Sequence, residues 1–167
     1  MNVSDFSQHR FAPSLIAAAI VCLGPVSVSL ANSIMVAQAL AVCRSTSVEE
    51  ARQRGDQLGW PRMPEDKNWK SSYESYNKMT VDVVGWWDEE AGSRLSFWVA
   101  TGVNPGRACS YSLTNNDSLL ADLKVELGKP ENEDHNEISD TAYWQRPGAE
   151  IYFTKVGSSS GFTMGVK

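Results

Sequence analysis

Histidine is nearly missing from this 167-residue chain, which has only His9 and His135. So few imidazoles exclude a multi-histidine metal site and leave little for a histidine-based triad. Cysteine is scarce too: three residues and no CxxC spacing, so neither a zinc ribbon nor a thioredoxin-type redox pair is available. There is no run of Lys and Arg, and 20 acidic against 15 basic residues give a net charge of −5. Nucleic acid is therefore not an expected partner. No apolar run reaches the ~20 residues of a spanning helix. Phosphate-binding glycine loops, dinucleotide fingerprints and HExxH are all lacking, so no cofactor and no metal is expected.

What is present begins with a leader. Leu15–Leu23 is an unbroken apolar run, broken by Gly24-Pro25, and Ser29-Leu30-Ala31 supplies small residues at −3 and −1 of a cut before Asn32. This is the layout of a secretory signal peptide, although Asp5 offsets Arg10 ahead of it. Residues 1–31 are read as the leader and 32–167 as one exported domain, periplasmic or secreted. A second cut would follow Ala37-Gln38-Ala39, and an uncleaved anchor is the rival reading. Leu40-Ala41-Val42-Cys43 resembles a lipobox, but Val42 is larger than that motif wants before its cysteine.

Cys22 leaves with the leader. Cys43 and Cys109 remain, and an even count outside the cytosol predicts that they are bonded to each other.

Within the domain, Ser47-Val48-Glu49-Glu50 is a capping box opening a helix with Val48, Ala51, Gly55 and Leu58 on one face. Gly59 and Pro61 stop it. Asn32–Arg44 before it reads as either a strand or a helical extension. Trp60–Lys78 is irregular, but Trp69, Tyr73 and Tyr76 at i, i+4 and i+7 align on a short helix from about Asp66. Met79–Leu113 alternates with period two and forms three strands, with a polar hairpin at Asp88–Ser93 and a turn at Asn104-Pro105-Gly106. On the first strand, Met79, Val81, Val83 and Trp87 read as the greasy side. Trp86 and Trp98 fall on the mixed opposite face. Asn115-Asn116-Asp117 then caps a helix at Ser118–Leu127, striped with Leu119, Leu120, Leu123 and Leu127. Strands are expected over Thr141–Gln145, Ala149–Val156 and Gly161–Lys167.

The expected fold is α+β: an antiparallel sheet of about six strands with two main helices on one face. The matching stops Leu58-Gly59-Trp60-Pro61 and Leu127-Gly128-Lys129-Pro130 suggest a degenerate duplication of a helix-plus-three-strand unit, 45–114 and 115–167. A helix followed by a three-stranded meander, clearest over Ser118–Lys167, resembles the modules of β-lactamase-inhibitor proteins and of small outer-membrane assembly lipoproteins. That resemblance implies protein binding through a sheet face and carries no binding residue over.

Chemistry is hard to find. Pro130–Asp140 holds Glu131, Glu133, Asp134, Glu137 and Asp140 around His135, but lacks the ligand spacing and turn glycine of a calcium loop, and reads as solvated. Gly157-Ser158-Ser159-Ser160-Gly161 spells GxSxG without the following helix or histidine that a nucleophile elbow needs, and reads as a hairpin tip. Asp88-Glu89-Glu90 beside Trp86-Trp87 allows a small cell-wall glycan hydrolase using paired carboxylates. The leading expectation is a non-catalytic domain that binds another protein or an envelope component through Trp69, Tyr73, Trp86 and Trp98, since aromatics anchor interfaces. The hydrolase and a purely structural envelope protein are the alternatives.

Overall fold

The computed structural model describes residues 27–65 and 67–166. Residues 1–26 of the expected leader, Cys22 among them, lie outside the described residues, as do Asp66 and Lys167.

Helix α1 spans Ser27–Cys43, so the ambiguous segment is helical rather than a strand. Val36, Ala39, Leu40 and Cys43 follow i, i+3, i+4, i+7 and are all buried. Helix α2, Val48–Gly55, starts where the capping box places it, with the Glu50 N–H donating to Ser47 Oγ at 3.1 Å. The Glu50 carboxylate closes the box one residue early, accepting from the N–H and hydroxyl of Thr46 at 2.7 and 2.8 Å. A 3-10 turn, Asp56–Leu58, follows, and Gly59 at φ 74° makes the left-handed stop. Helix α3 is Lys67–Asn77 and helix α4 is Leu119–Leu127, the latter opened by Asn116 Oδ1 accepting from the N–H groups of Ser118 and Leu119.

The strands are β1 Met79–Asp88, β2 Ser93–Gly102, β3 Gly106–Thr114, β4 Asn132–His135, β5 Ser139–Arg146, β6 Ala149–Val156 and β7 Ser159–Val166. They form one antiparallel sheet in the order β1-β2-β3-β7-β6-β5-β4. That is seven strands rather than about six. The additional one, β4, lies inside the acidic stretch read as a loop.

The order is two meanders joined third strand to third strand. Pairing β3 with β7 antiparallel sets a local two-fold between the halves, and the buried side chains obey it. One row across the sheet runs Trp86, Leu95, Tyr111, Phe162, Phe153, Ala142. The next runs Trp144, Ile151, Met164, Cys109, Phe97, Val84, the same kind of row in reverse. Each half thus has one fully buried Trp on its outer long strand. Each of these indoles is tied to the chain just past the end of a core helix, α2 for Trp86 and α4 for Trp144. Trp86 Nε1 donates to Asp56 Oδ1 at 3.1 Å and Trp144 Nε1 to the Gly128 carbonyl at 2.9 Å. The edges correspond as well. Residues 61–63 pair with β1 through Met63 N–H to Gly85 C=O, as Glu131 N–H pairs to Tyr143 C=O at the start of β4.

Both rows face α1, α2 and α4, and all belong to one hydrophobic core. Three helices, not two, therefore share this face. Cys43 at the end of α1 is disulfide-bonded to Cys109 in the middle of β3, across 66 residues of sequence. The bond pins α1 to the sheet centre. No described helix is long and apolar enough to cross a membrane.

The register corrects the expected faces of β1. Trp86 pairs with Leu95 and Val83 with Trp98, so Trp86 and Trp98 point to opposite sides of the sheet. The core side of β1 is Val84 and Trp86, not Val81, Val83 and Trp87. Val81 is nonetheless buried, because α3 packs against β1. The Glu74 carboxylate accepts from the Val81 N–H at 2.8 Å and fixes α3 there.

Candidate functional site

With α1, α2 and α4 all on one side, the other side of β2, β3, β7 and β6 carries no helix. Its floor is made of small residues. Across neighbouring strands lie Ser96, Ser110 and Thr163; then Ala108 and Gly165; then Ser112 and Gly161. Aromatic side chains flank the floor on both sides, in different rows: Trp98 beside Ala108, Trp87 beyond Arg94, and Tyr152 beside Thr163. Trp98 and Trp87 rise from β2 and β1, and Tyr152 and Tyr143 from β6 and β5, with the two Tyr rings 4.7 Å apart. Strands lie about 4.8 Å apart, so β2 and β6 are roughly 14 Å from each other across the floor. Tyr152 is 52% exposed and Trp87 36%, an arrangement that a buried core never shows.

At the β1 end the floor deepens into a notch of about 410 Å³. Met63, Pro64, Trp69, Val83, Gly85, Ser96 and Trp98 line it, with Arg52, Arg62 and Glu65 on its polar side. Trp69 stacks on Tyr73 of the same helix, ring centroids 5.4 Å apart, and stays 44% exposed. Trp69 and Trp98 are thus brought together, and Tyr73 braces Trp69 from behind. Trp86 is not part of this site. It is wholly buried under α2, and its expected binding role is withdrawn for that reason.

Two strand residues on from Ser96, on the same face of β2, Arg94 lies over the Trp87 ring with its guanidinium carbon 5.0 Å from the centroid. Among the described residues no carboxylate sits within ion-pair distance of Arg94. The other arginines near the notch are occupied: Arg52 by Glu49, and Arg62 by Asp56 through Nε to Oδ1 at 2.8 Å. Trp87, Arg94, Tyr143 and Tyr152 were missed from the sequence as site residues. Knowing the cross-strand register would have found them, since it shows which residues line up beside Trp98.

The carboxylates of the hydrolase reading lie outside this notch. Asp88, Glu89 and Glu90 cap the β1–β2 turn, where Asp88 Oδ1 accepts from the Ala91 N–H at 3.1 Å. A second cavity of about 530 Å³ beside β1 does hold Glu49, Glu65 and Asp82. Arg52 pairs with Glu49, and Lys70 with Glu65 at 2.9 Å and Asp82 at 4.0 Å. Lys70, by hydrogen bond and then by charge, holds the Glu65 carboxyl below its usual range. Glu50, Asp56, Glu131 and Glu133 are likewise held low by hydrogen bonds from neighbouring backbone or cationic groups. A general acid needs its carboxyl pushed the other way.

The acidic stretch around β4 is internally matched. His135 Nδ1 is 2.9 Å from Asp140, its Nε2 is 2.8 Å from Glu133, and Lys124 reaches Glu133 at 2.6 Å. Among the described residues no group of three or more ligand side chains is set to hold a metal ion. A third cavity, about 490 Å³, lies at the ends of β5, β6 and β7. Its arginines work for the fold: Arg107 donates to the Ser45 carbonyl at 3.2 Å, and Arg146 to the Leu127 carbonyl and to Glu131.

No family model, curated protein or solved structure matches the chain. The reading of the site rests on its own geometry.

Proposed function

We propose that this is an exported, non-catalytic binding domain that grips another protein on its uncovered sheet face. The observation that carries the proposal is the contrast between the two faces. One is sealed by three helices and a disulfide; the other presents a floor of small residues between exposed Trp and Tyr rings.

Physical reasons favour a protein loop as the occupant. A smooth floor lets a partner backbone approach closely, and rigid aromatics on both sides supply contact area at little cost in side-chain entropy. The notch has room for one large apolar side chain, and the flexible Met63 can adjust around it. Arg94, stacked and without an ion-pair partner among the described residues, suits a carboxylate arriving beside that side chain. The occupant is therefore a projecting loop carrying an apolar residue next to an acidic one. Export is supported by the leader-like residues 1–31 and by the Cys43–Cys109 bond, since such bonds persist in oxidising compartments.

The test is capture from an envelope extract by the domain bearing Trp98→Ala, Arg94→Ala or Tyr152→Ala. Val125→Ala serves as the control, because Val125 is 75% exposed on α4. Loss of one captured protein in the first three variants, with melting temperatures unchanged, supports the proposal. Equal capture by all four sinks it.

A further inference from the structure

The sequence offers three candidate cuts, after Ala31, after Ala39 and after Val42, and the last two fall among buried side chains of α1. We infer that the leader is cut between Ala31 and Asn32 and that the rest of α1 stays in the mature domain as its first core element. The inference rests on the export reading above and goes beyond it by fixing which residues the exported molecule keeps.

A cut after Ala39 removes Val36 and Ala39, each 1% exposed in the core. It also leaves Leu40–Cys43, a single turn, and an isolated turn does not hold a helix. That turn has structural work to do. The Ala41 carbonyl accepts from the Arg54 guanidinium at 2.6 Å, and Leu40 and Val42 are each 1% exposed. A lipobox cut after Val42 asks more of one atom than it can give. The lipid would form a thioether on Cys43 Sγ, and that sulfur is already bonded to Cys109. The modified residue would also have to reach a membrane from a position 1% exposed.

A cut after Ala31 keeps Val36, Ala39, Leu40, Val42 and Cys43, each 1% exposed in the core. Asn32–Cys43 remains, about 18 Å of helix at 1.5 Å per residue, enough to run along α2 and α4 to the disulfide. The new first residue is Asn, a residue type that suits a helix start. Chemically the step is hydrolysis of the Ala31–Asn32 peptide bond by a leader peptidase. Water supplies the hydroxyl of the new Ala31 carboxyl and a proton to the new Asn32 amine.

The test expresses the full chain in a host with an export pathway, separates envelope from cytosol, and reads the amino terminus and the intact mass. The expected product begins Asn32-Ser33-Ile34, has 136 residues (167 less 31) and has no free thiol. In Ala31→Arg, which puts a large charged residue at −1, the processed form disappears and the full-length chain accumulates. An exported chain beginning at Leu40, a lipid-bearing chain beginning at Cys43, an exported chain beginning at Met1, or normal processing of Ala31→Arg each overturns the cut while leaving export standing. A chain beginning at Met1 found only in the cytosol overturns export itself, and the cut with it.

Discussion

Gly55 sits at the end of α2, directly against the Trp86 indole. A Cβ placed there would lie 2.2 Å from Cζ2 and 2.4 Å from Cη2 of that ring. Carbon atoms prefer about 3.5–4.0 Å, so the clash exceeds an ångström. The ring has nowhere to go. It is fully buried, its Nε1 is held by Asp56, and it lies between Gly55 and the sheet. Gly55→Ala gains about 1 kcal/mol of helix propensity. Forcing the methyl against the ring costs near the upper end of the overpacking range, about 3 kcal/mol. The net expectation is a loss of about 2 kcal/mol, read as a lower urea midpoint at unchanged slope. Trp86→Phe removes the benzo ring that the methyl would strike. In that background Gly55→Ala should cost little or even stabilise, giving a coupling of about 2 kcal/mol in the double-mutant cycle. If Gly55→Ala alone raised stability by its full propensity gain, Trp86 would not pack on α2, and the assignment of the core face would be wrong.

Removing the disulfide by Cys43→Ala with Cys109→Ala should cost about 4 kcal/mol from the chain entropy of a 66-residue closure, measured by urea unfolding. A cost under about 1 kcal/mol would mean that the bond does not organise the fold. Asp56 gives a pH prediction. Its carboxyl is held at about 2, from an ordinary 3.8, chiefly by the hydrogen bond from Arg62 and then by that from Trp86. A depressed carboxyl stabilises fully above its unfolded pKa and loses that contribution as pH falls through the folded one. Stability should therefore fall between about pH 4 and 2, and Asp56→Asn should flatten that limb. An unchanged acid limb in Asp56→Asn would remove the ion pair from the account.

Much of this architecture was written in local signals. The stops at Gly59 and Gly128, the Ser47 cap, the hairpin at Asp88–Ser93 and the alternation through β2, β3 and β6 each act through near neighbours, and each formed where the residues indicated, whereas β7 begins at Ser159, two residues ahead of the expected Gly161, inside the expected hairpin tip. What failed was decided at a distance. β1 is apolar on both sides because α3 covers Val81 while α2 covers Trp86, so alternation alone could not say which side faces the core. β4 has no apolar residue and is exposed throughout; it exists because β5 offers it a backbone partner. The i, i+4, i+7 spacing of α3 suggested that Trp69, Tyr73 and Tyr76 act as one face. Instead Trp69 stacks on Tyr73, and Tyr76 is left 88% exposed. For the site, Trp69 and Trp98 were legible as surplus aromatics. Arg94, Trp87, Tyr143 and Tyr152 were not, since only the register across β1-β2 and β5-β6 brings them to one face.

The most direct measurement of the central claim is site-specific photo-crosslinking in living cells. A benzophenone amino acid replaces Tyr152 on the uncovered face in one strain and Val125 on α4 in another. The account predicts a discrete heavier adduct from position 152 and none from position 125. Adducts from position 125 alone, or equally from both, would contradict a binding face opposite α1, α2 and α4.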